Sequence, residues 1–168
     1  MRVRKVALLG ASGLVAQRFQ QRLCNHPWFE LVAVYGSPRT VGKKITGLPW
    51  HLPEPRPDIP EIEVLSLDSV LTDVDEFDVV FSALPSEVAL EFERPLAEQG
   101  CYVFSNASTH RMDHDVPLVI ADLNPHHLFT LCNRESQGFL ACSTNCTIIP
   151  AALPLKPLWD FIGLDGVI

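Results

Sequence analysis

Residues 5–16 read Lys5-Val6-Ala7-Leu8-Leu9-Gly10-Ala11-Ser12-Gly13-Leu14-Val15-Ala16, and this stretch decides the fold. Its apolar first half predicts a buried strand, and the segment 13–25 predicts a helix. Gly10 allows a sharp turn out of the strand, and Gly13 allows backbone amides to approach a pyrophosphate at the positive end of the helix. The stretch therefore predicts a dinucleotide-binding loop formed by Gly10, Ala11, Ser12, Gly13, Leu14 and Val15.

The two glycines alone would equally suit an ordinary turn between a strand and a helix. The rest of the chain favours the dinucleotide interpretation, because short apolar runs alternate with helical segments, as buried parallel strands do with their crossovers. Further strands are predicted at residues 31–35, 63–67, 78–83, 102–105, 117–121 and 139–142, a second helix at 85–99, and an irregular segment at 39–60. The predicted fold class is α/β, with a Rossmann-type doubly wound, mainly parallel sheet.

The segment 147–159 predicts a third helix. Its three prolines, Pro150, Pro154 and Pro157, make a regular helix doubtful. A domain boundary is predicted just before Cys146, dividing the chain into residues 1–145 and 146–168.

The composition narrows the range of functions. The net charge of −7 argues against a general nucleic-acid-binding surface. No apolar stretch approaches the roughly 18 to 20 residues that a membrane-spanning helix requires. The five cysteines are an odd number and no secretory leader precedes them, so we expect reduced thiols in the cytoplasm.

The residues after the second predicted strand indicate which dinucleotide binds. An acidic side chain at this point would hydrogen-bond the ribose of NAD, but no Asp or Glu lies between Glu30 and Glu54. Ser37, Arg39 and Thr40 stand there instead, with two lysines close behind. Hydroxyl and guanidinium groups suit a 2′-phosphate, so NADP is predicted in preference to NAD. A solvated basic loop is the alternative.

Cys146 is a candidate nucleophile. The other thiols at Cys24, Cys101 and Cys142 lie in or beside apolar segments, where free cysteine packs as a small hydrophobe. Cys146 instead follows the polar Asn145 and starts the third predicted helix, whose N-terminus would favour a thiolate and offer amides to an oxyanion. An ordinary thiol remains the alternative on this local chemistry.

A metal site is not expected. The candidate ligands match no common zinc spacing. They are His126, His127, Cys132, Cys142 and Cys146.

Several long motifs follow one another along the chain. They are Gly10-Ala11-Ser12-Gly13-Leu14-Val15-Ala16-Gln17-Arg18-Phe19, Ser37-Pro38-Arg39-Thr40-Val41-Gly42-Lys43-Lys44, Val79-Val80-Phe81-Ser82-Ala83-Leu84-Pro85-Ser86, Phe104-Ser105-Asn106-Ala107-Ser108-Thr109-His110-Arg111-Met112 and Thr144-Asn145-Cys146-Thr147. In this order they resemble the N-terminal portion of aspartate-semialdehyde dehydrogenases of the archaeal and fungal type, across essentially the whole chain. This match is far more specific than the glycine loop alone.

The resemblance implies an enzyme that converts L-aspartate 4-semialdehyde, phosphate and NADP to 4-aspartyl phosphate and NADPH, in the biosynthesis of lysine, threonine and methionine. Cys146 would form the thioester, and Asn145 would steady its oxygen. Arg111 would hold the phosphate, with Asn106 beside it, because a planar guanidinium pairs with phosphate oxygens. By the same match the cofactor would also contact Ser82, Ala83, Leu84 and Pro85.

Other interpretations and two departures accompany this match. Arg111 could instead form a surface ion pair with Asp113 or Asp115. Ala16 replaces a third glycine but is still small, and Ser143-Thr144 stand where Asn-Pro is expected before Asn-Cys. On the same scaffold, a malonyl-CoA reductase, an N-acetyl-glutamyl-phosphate reductase or a noncatalytic NADP-binding fragment are the alternatives.

Members of the resembled family are about twice as long. The remainder would carry the acid-base histidine, the groups that grip the substrate and most of the subunit interface of a homo-oligomer. We therefore expect residues 146–168 to begin an incomplete catalytic and dimerisation domain. We also expect weak NADP binding and little or no dehydrogenase activity from these 168 residues alone, with an undetermined oligomeric state.

Overall fold

A parallel sheet forms the centre of the molecule. The computed structural model describes residues 2–131, 138–164 and 166. Its strands are β1 (Arg4–Leu9), β2 (Phe29–Gly36), β3 (Val64–Ser66), β4 (Val79–Ser82), β5 (Tyr102–Ser105), β6 (Leu118–Val119) and β7 (Phe139–Ser143). Within the described residues they form one seven-stranded sheet in the order β3-β2-β1-β4-β5-β7-β6, and neighbouring strands pair in parallel.

Helices cover both faces of this sheet. Their bounds are α1 (Leu14–Leu23), α2 (Ser86–Glu98) and α3 (Ile149–Ile162), with short 3₁₀ helices at Ile45–Gly47, Leu67–Ser69, Val74–Glu76 and Pro125–Leu131. Alternate residues of a strand point to opposite faces, so Val6 and Leu8 pack on the side of α1, whereas Ala7 and Leu9 pack on the side of α2. The predicted α/β, doubly wound fold is confirmed.

One row of paired residues crosses the sheet near the carboxyl ends of its strands. Leu9 pairs with Tyr35 on one side and with Ser82 on the other. Ser82 pairs with Ser105, which pairs in turn with Cys142. The loops that follow these five strands therefore leave the sheet from one edge, which we call the carboxyl edge.

The bounds of several elements differ from those predicted. Helix α1 ends at Leu23, before the predicted residue 25, because Asn25 has a left-handed φ of 53° that a right-handed helix cannot continue. Strand β6 keeps only two of the residues predicted at 117–121. The amide of Ile120 donates instead to Asn124 Oδ1 at 2.7 Å, which turns the chain out of the sheet.

The doubt about a regular third helix was wrong. Helix α3 continues through Pro154 and Pro157, and Pro150 lies in its first turn, where the missing N–H costs no hydrogen bond. The carbonyls that Pro154 and Pro157 leave without a donor belong to Pro150 and Leu153. Both residues are exposed, so water can take the place of the missing donors.

The helices show no membrane-spanning segment. No helix within the described residues is both long enough and apolar enough to cross a bilayer.

Candidate nucleotide and active site

The glycine loop lies at the carboxyl edge, directly after β1. Gly10 has a φ of 94°, and a Cβ at this position would lie 2.6 Å from the carbonyl oxygen of Ala83. The amides of Gly10 and Ala11 both donate to the carbonyl of Tyr35, at 2.9 and 3.2 Å. The loop therefore lies where the strand order reverses, between the neighbouring strands β1 and β4, which is the usual ligand crevice of such sheets.

The glycine loop leads into α1, and the residues that join the two are exposed. Ser12 and Gly13 are exposed, and Gly13 is the N-cap of the helix. The first amides of a helix have no partner within it, so they are available to an anion. Ala16 is fully buried, which explains why a small residue is required where the helix packs on the sheet.

Two buried glutamines hold this loop, and sequence reasoning assigned them no role. Gln17 and Gln20 are each 1% exposed. Gln17 Nε2 donates to the carbonyl of Ser12 at 3.0 Å, and Gln20 Nε2 donates to that of Ala11 at 3.1 Å. Their signal in the sequence is two amides three residues apart on the helix face otherwise used for packing, since buried polar groups need partners.

The basic loop follows β2, beside the glycine loop. The amide and hydroxyl of Thr40 donate to the carbonyl of Ser37 at 2.8 and 2.9 Å, which closes a tight turn. Arg39 is exposed in this turn. Lys44, farther along, forms an ion pair with Glu61. Ser37, Arg39 and Thr40 are the predicted residues that the structure places next to the glycine loop.

The end of β4 and the loop that follows it contain both exposed and buried residues. Pro85 is exposed and Ala83 is partly exposed. Leu84 is 7% exposed and packs in the core, while Ser82 is fully buried. A fully buried side chain offers no surface to a bound nucleotide, so Ser82 belongs to the layer beneath the loop.

Asn106, Arg111 and Ser143 form one hydrogen-bonded cluster at the ends of β5 and β7. Arg111 Nε donates to the carbonyl of Ser143 at 2.9 Å, and Arg111 Nη2 donates to the carbonyl of Asn106 at 2.9 Å. The hydroxyl of Ser143 donates to Asn106 Oδ1 at 2.6 Å. The structure thus brings together the two residues predicted for phosphate binding, and we call these three residues the arginine cluster.

The two aspartates proposed as alternative partners of Arg111 pair with another arginine. Arg94 Nη2 lies 2.7 Å from Asp113 Oδ2, and Arg94 Nη1 lies 3.0 Å from Asp115 Oδ2. Hydrogen bonds from His110 and Arg94 lower the pKa of Asp113. Arg111 instead donates hydrogen bonds from Nε and Nη2 to two backbone carbonyls, which hold the guanidinium in place.

Cys146 is exposed and lies just beyond the arginine cluster. Its Sγ is 3.7 Å from Asn145 Oδ1, which also accepts hydrogen bonds from the amide and hydroxyl of Thr147 at 2.9 and 2.8 Å. Helix α3 begins at Ile149, so the expectation that Cys146 starts the helix is corrected. The Asn145 side chain stabilises an intervening turn that presents the thiol before the helix.

The other described thiols are packed, as expected. Cys101 and Cys142 are each 2% exposed, and burial is the main cause that raises their pKa values to about 11 and about 12. Cys24 is half-buried and donates to the carbonyl of Asp58 at 3.3 Å. Cys132 lies outside the described residues. Within those residues, no group of three or more His, Cys, Asp or Glu side chains is arranged to hold a metal ion.

An apolar cavity of about 280 Å³ adjoins the arginine cluster. Phe19 stacks on Phe81 with ring centroids 4.8 Å apart, and Phe104 lies 5.7 Å from Phe81. The cavity was not predictable from the sequence, because its aromatic walls come from three separate elements, α1, β4 and β5. Its lining includes Phe19, Phe81, Phe104, Asn106, Val119, Leu128 and Ser143.

Comparison with known proteins identifies the family. Residues 5–131 match the family described as semialdehyde dehydrogenase, NAD binding domain. The chain belongs to this family. An aspartate-semialdehyde dehydrogenase from Archaeoglobus fulgidus is 46% identical to this chain over 168 residues, covering 96% of the chain and 48% of that protein.

Solved structures agree with the sequence match. The crystal structure of aspartate semialdehyde dehydrogenase with NADP from Candida albicans superimposes with a TM-score of 0.83 at 36% identity, covering 96% of this chain and 48% of that one. The resemblance to the N-terminal portion of such enzymes is confirmed. The chain spans about half the length of the relatives it matches.

A relative with a different name shares the same domain. A malonyl CoA reductase (NADP) from Metallosphaera sedula is 33% identical over 172 residues, covering 99% of this chain and 47% of that protein. The relatives that match this chain are therefore named for more than one substrate.

Proposed function

We propose that this chain is the NADP-binding portion of an aspartate-semialdehyde dehydrogenase, with the cofactor domain at residues 1–145 and the start of the catalytic domain at 146–168. The observation that carries the proposal is the position of Cys146. The exposed thiol follows Ser143, whose carbonyl and hydroxyl are bonded into the arginine cluster, at the same sheet edge as the glycine loop. The names of the similar enzymes support the substrate.

The residues at the carboxyl edge fit NADP. The Gly10 turn brings backbone close to Ala83 with no room for a side chain, and Gly13, Leu14 and Val15 at the start of α1 are exposed, where the first amides of a helix have no partner within it. These amides would hold the pyrophosphate. Ser37, Arg39 and Thr40 would hold the 2′-phosphate. The NADP named with the Candida albicans structure supports this choice.

The chemistry assigned to this chain centres on Cys146. Its thiolate attacks the aldehyde carbon of aspartate semialdehyde to form a C–S bond, and the neighbouring Asn145 would steady the oxygen that becomes the oxyanion. NADP, when bound, would supply the hydride acceptor for the oxidation of the Cys146 thiohemiacetal to a thioester. Arg111 holds inorganic phosphate, whose oxygen attacks the thioester carbonyl. The C–S bond then breaks, and the thiolate of Cys146 is regenerated as aspartyl phosphate leaves.

This activity would serve the biosynthesis of lysine, threonine and methionine. The four described cysteines, Cys24, Cys101, Cys142 and Cys146, are free thiols, which supports a reducing compartment such as the cytoplasm. The full-length enzyme would be a homo-oligomer.

Dinucleotide titration tests the proposal directly. Fluorescence titration of the 168-residue chain should give tighter binding of NADPH than of NADH. Arg39→Ala should weaken NADPH binding by about tenfold or more, because a charge-assisted hydrogen bond is lost, and should leave NADH binding almost unchanged. Arg22→Ala removes the same charge from an exposed position on α1 and should change neither affinity. Binding of neither dinucleotide by the wild-type chain would overturn the proposed function.

A malonyl-CoA reductase is the second candidate, favoured by the similarity to the Metallosphaera sedula enzyme. The same thiolate would then attack the thioester carbon of malonyl-CoA and release the CoA thiol. Intact-protein mass spectrometry after incubation with malonyl-CoA separates the two candidates. A malonyl adduct that is absent from Cys146→Ser favours the reductase, whereas an aspartyl adduct formed with aspartate semialdehyde and NADP, and likewise absent from Cys146→Ser, favours the dehydrogenase.

A further inference from the structure

A fully buried glutamate on α2 takes no part in the chemistry described above. Glu93 is 0% exposed on the face of α2 that packs against the sheet. The hydroxyl of Ser105 donates to Glu93 Oε1 at 2.7 Å. Burial raises the pKa of Glu93, and the nearby hydroxyls of Ser82 and Ser105 and the His110 ring oppose the rise. Since glutamate is rarely buried completely, this position needs a physical reason.

The Ser105 hydroxyl links Glu93 to the backbone of the turn that follows β5. Besides donating to Glu93, Ser105 Oγ accepts a hydrogen bond from the amide of Ala107 at 3.0 Å. The residue between them is Asn106, whose own amide donates to the carbonyl of Ser82 at 3.0 Å. The turn that follows β5 is therefore held from both sides, and its conformation sets where the Asn106 carbonyl points.

That carbonyl is one of the two oxygens that hold Arg111. Arg111 Nη2 donates to it at 2.9 Å, and Arg111 Nε donates to the carbonyl of Ser143 at 2.9 Å. A continuous set of hydrogen bonds thus runs from Glu93 through Ser105 and the Asn106 turn to the guanidinium.

Helix α2, which carries Glu93, also contacts the loop of residues 106–117 on the C-terminal side of Arg111. Arg94, the next residue on α2, pairs with Asp113 and Asp115. The Nδ1 atom of the buried His110 lies 2.8 Å from Asp113 Oδ2. The loop that carries Arg111 is thereby attached to α2 before and after the arginine.

We propose that Glu93 is a positioning residue for Arg111, and that it acts through the Ser105 hydroxyl and the Asn106 turn. Glu93 touches neither substrate nor cofactor. Its effect on activity rests on the proposed function, in which Arg111 binds phosphate. The hydrogen-bond acceptor oxygen of Glu93, rather than its charge, is the group that holds Ser105.

The Nε–H of Arg111 reports the position of the guanidinium without any ligand. Its signal in a ¹⁵N NMR spectrum is assigned by its loss in Arg111→Lys. Ser105→Ala and Glu93→Leu should each raise its hydrogen-exchange rate by about tenfold or more, in line with the effect of removing groups that orient functional side chains. Glu93→Gln keeps the acceptor oxygen and should preserve the wild-type rate. Glu91→Gln, at an exposed position of the same helix, is the matched control.

Phosphate titration adds the functional readout. Ser105→Ala and Glu93→Leu should weaken binding of inorganic phosphate by about tenfold and leave NADPH affinity unchanged, because the glycine loop is not part of this network. An unchanged Arg111 Nε–H in the folded Ser105→Ala variant would overturn the inference, and this variant decides if Glu93→Leu does not fold. A changed Nε–H signal together with no phosphate binding by the wild-type chain would uphold the positioning role and remove Arg111 from the proposed function.

Discussion

The side-chain oxygen of Gln17 accepts a hydrogen bond from the backbone amide of His51 at 2.8 Å. The Nε2 atom of the same side chain donates to the carbonyls of Ser12 and Pro49, at 3.0 and 3.2 Å. One buried amide therefore joins the glycine loop to a segment more than thirty positions away, which has no regular secondary structure of its own at this point. The glycine loop thus depends on a long-range contact as well as on its own residues.

Gln17→Leu should destabilise the chain and weaken its nucleotide binding. The substitution removes the hydrogen bonds that the buried Gln17 side chain makes to the backbone of Ser12, Pro49 and His51, which we expect to cost about 2 kcal/mol. Urea denaturation measures the free energy of unfolding, and NADPH titration should show about tenfold weaker binding. Gln21→Leu, at a less buried position of α1, should change the stability by about 0.5 kcal/mol or less. Equal stability of the Gln17 variant and the wild type would contradict this account of the loop.

Gly10→Ala should destabilise more than Gly42→Ala. Both glycines have a positive φ, 94° and 77°, so alanine is strained at each, at about 1 kcal/mol. At Gly10 the new Cβ would also collide with the Ala83 carbonyl. A Cβ at Gly42 would have no atom within 4 Å apart from its chain neighbours. The extra cost at Gly10 should be about 2 kcal/mol or more, as seen for overpacking. Thermal unfolding of the two variants compares them, and an equal loss would show that the backbone moves away from the collision.

Alkylation should distinguish the thiols. At pH 8, iodoacetamide should label Cys146 well before Cys101 and Cys142, because Cys146 is exposed and burial raises the pKa values of the other two to about 11 and about 12. Peptide mass spectrometry after short exposure measures the order, and labelling in denaturant provides the control in which all three react. Labelling of Cys142 as fast as Cys146 would mean that β7 opens easily.

The pH dependence of stability should change in Glu93→Gln. Burial raises the folded-state pKa of Glu93 above its ordinary value of 4.5, so the folded state favours the protonated carboxyl. This contribution to stability is fully present below 4.5 and is lost as the pH rises through the raised pKa. The Gln variant cannot ionise, so its stability relative to the wild type should increase over that range. Urea denaturation at a series of pH values measures this, with Glu91→Gln as the control, and parallel curves for wild type and Glu93→Gln would argue against a titrating carboxyl.

Local patterns were sufficient for the sheet and its loops. Apolar runs predicted each of the seven described strands, and the spacing of Gly10 and Gly13 predicted the turn between β1 and α1. These features depend on neighbours in the sequence, and the periodicity of apolar residues records them. The third helix is the exception, because the prolines inside it are tolerated only where the freed carbonyls reach water.

Polar groups with distant partners were not predictable in the same way. Gln17 and Glu93 look like ordinary polar residues of amphipathic helices, and their partners His51 and Ser105 belong to other elements. The arginine cluster was predictable only in part. The family motifs indicated Arg111 and Asn106, but the bond from Arg111 to the Ser143 carbonyl requires β5 and β7 to lie side by side.

The sequence by itself determined the α/β architecture, the glycine turn and the basic residues after β2, because each follows from residue type and local spacing. The role of Cys146 came from the family motifs and stays a prediction. Only the tertiary structure decided that Ser82 is buried, that Arg94 rather than Arg111 holds Asp113, and that Gln17 and Glu93 lie beneath the loops. The physical reason is that a buried polar group is stable only when its hydrogen-bond partners surround it, and these partners are brought together by the parallel pairing of strands that are distant in the chain.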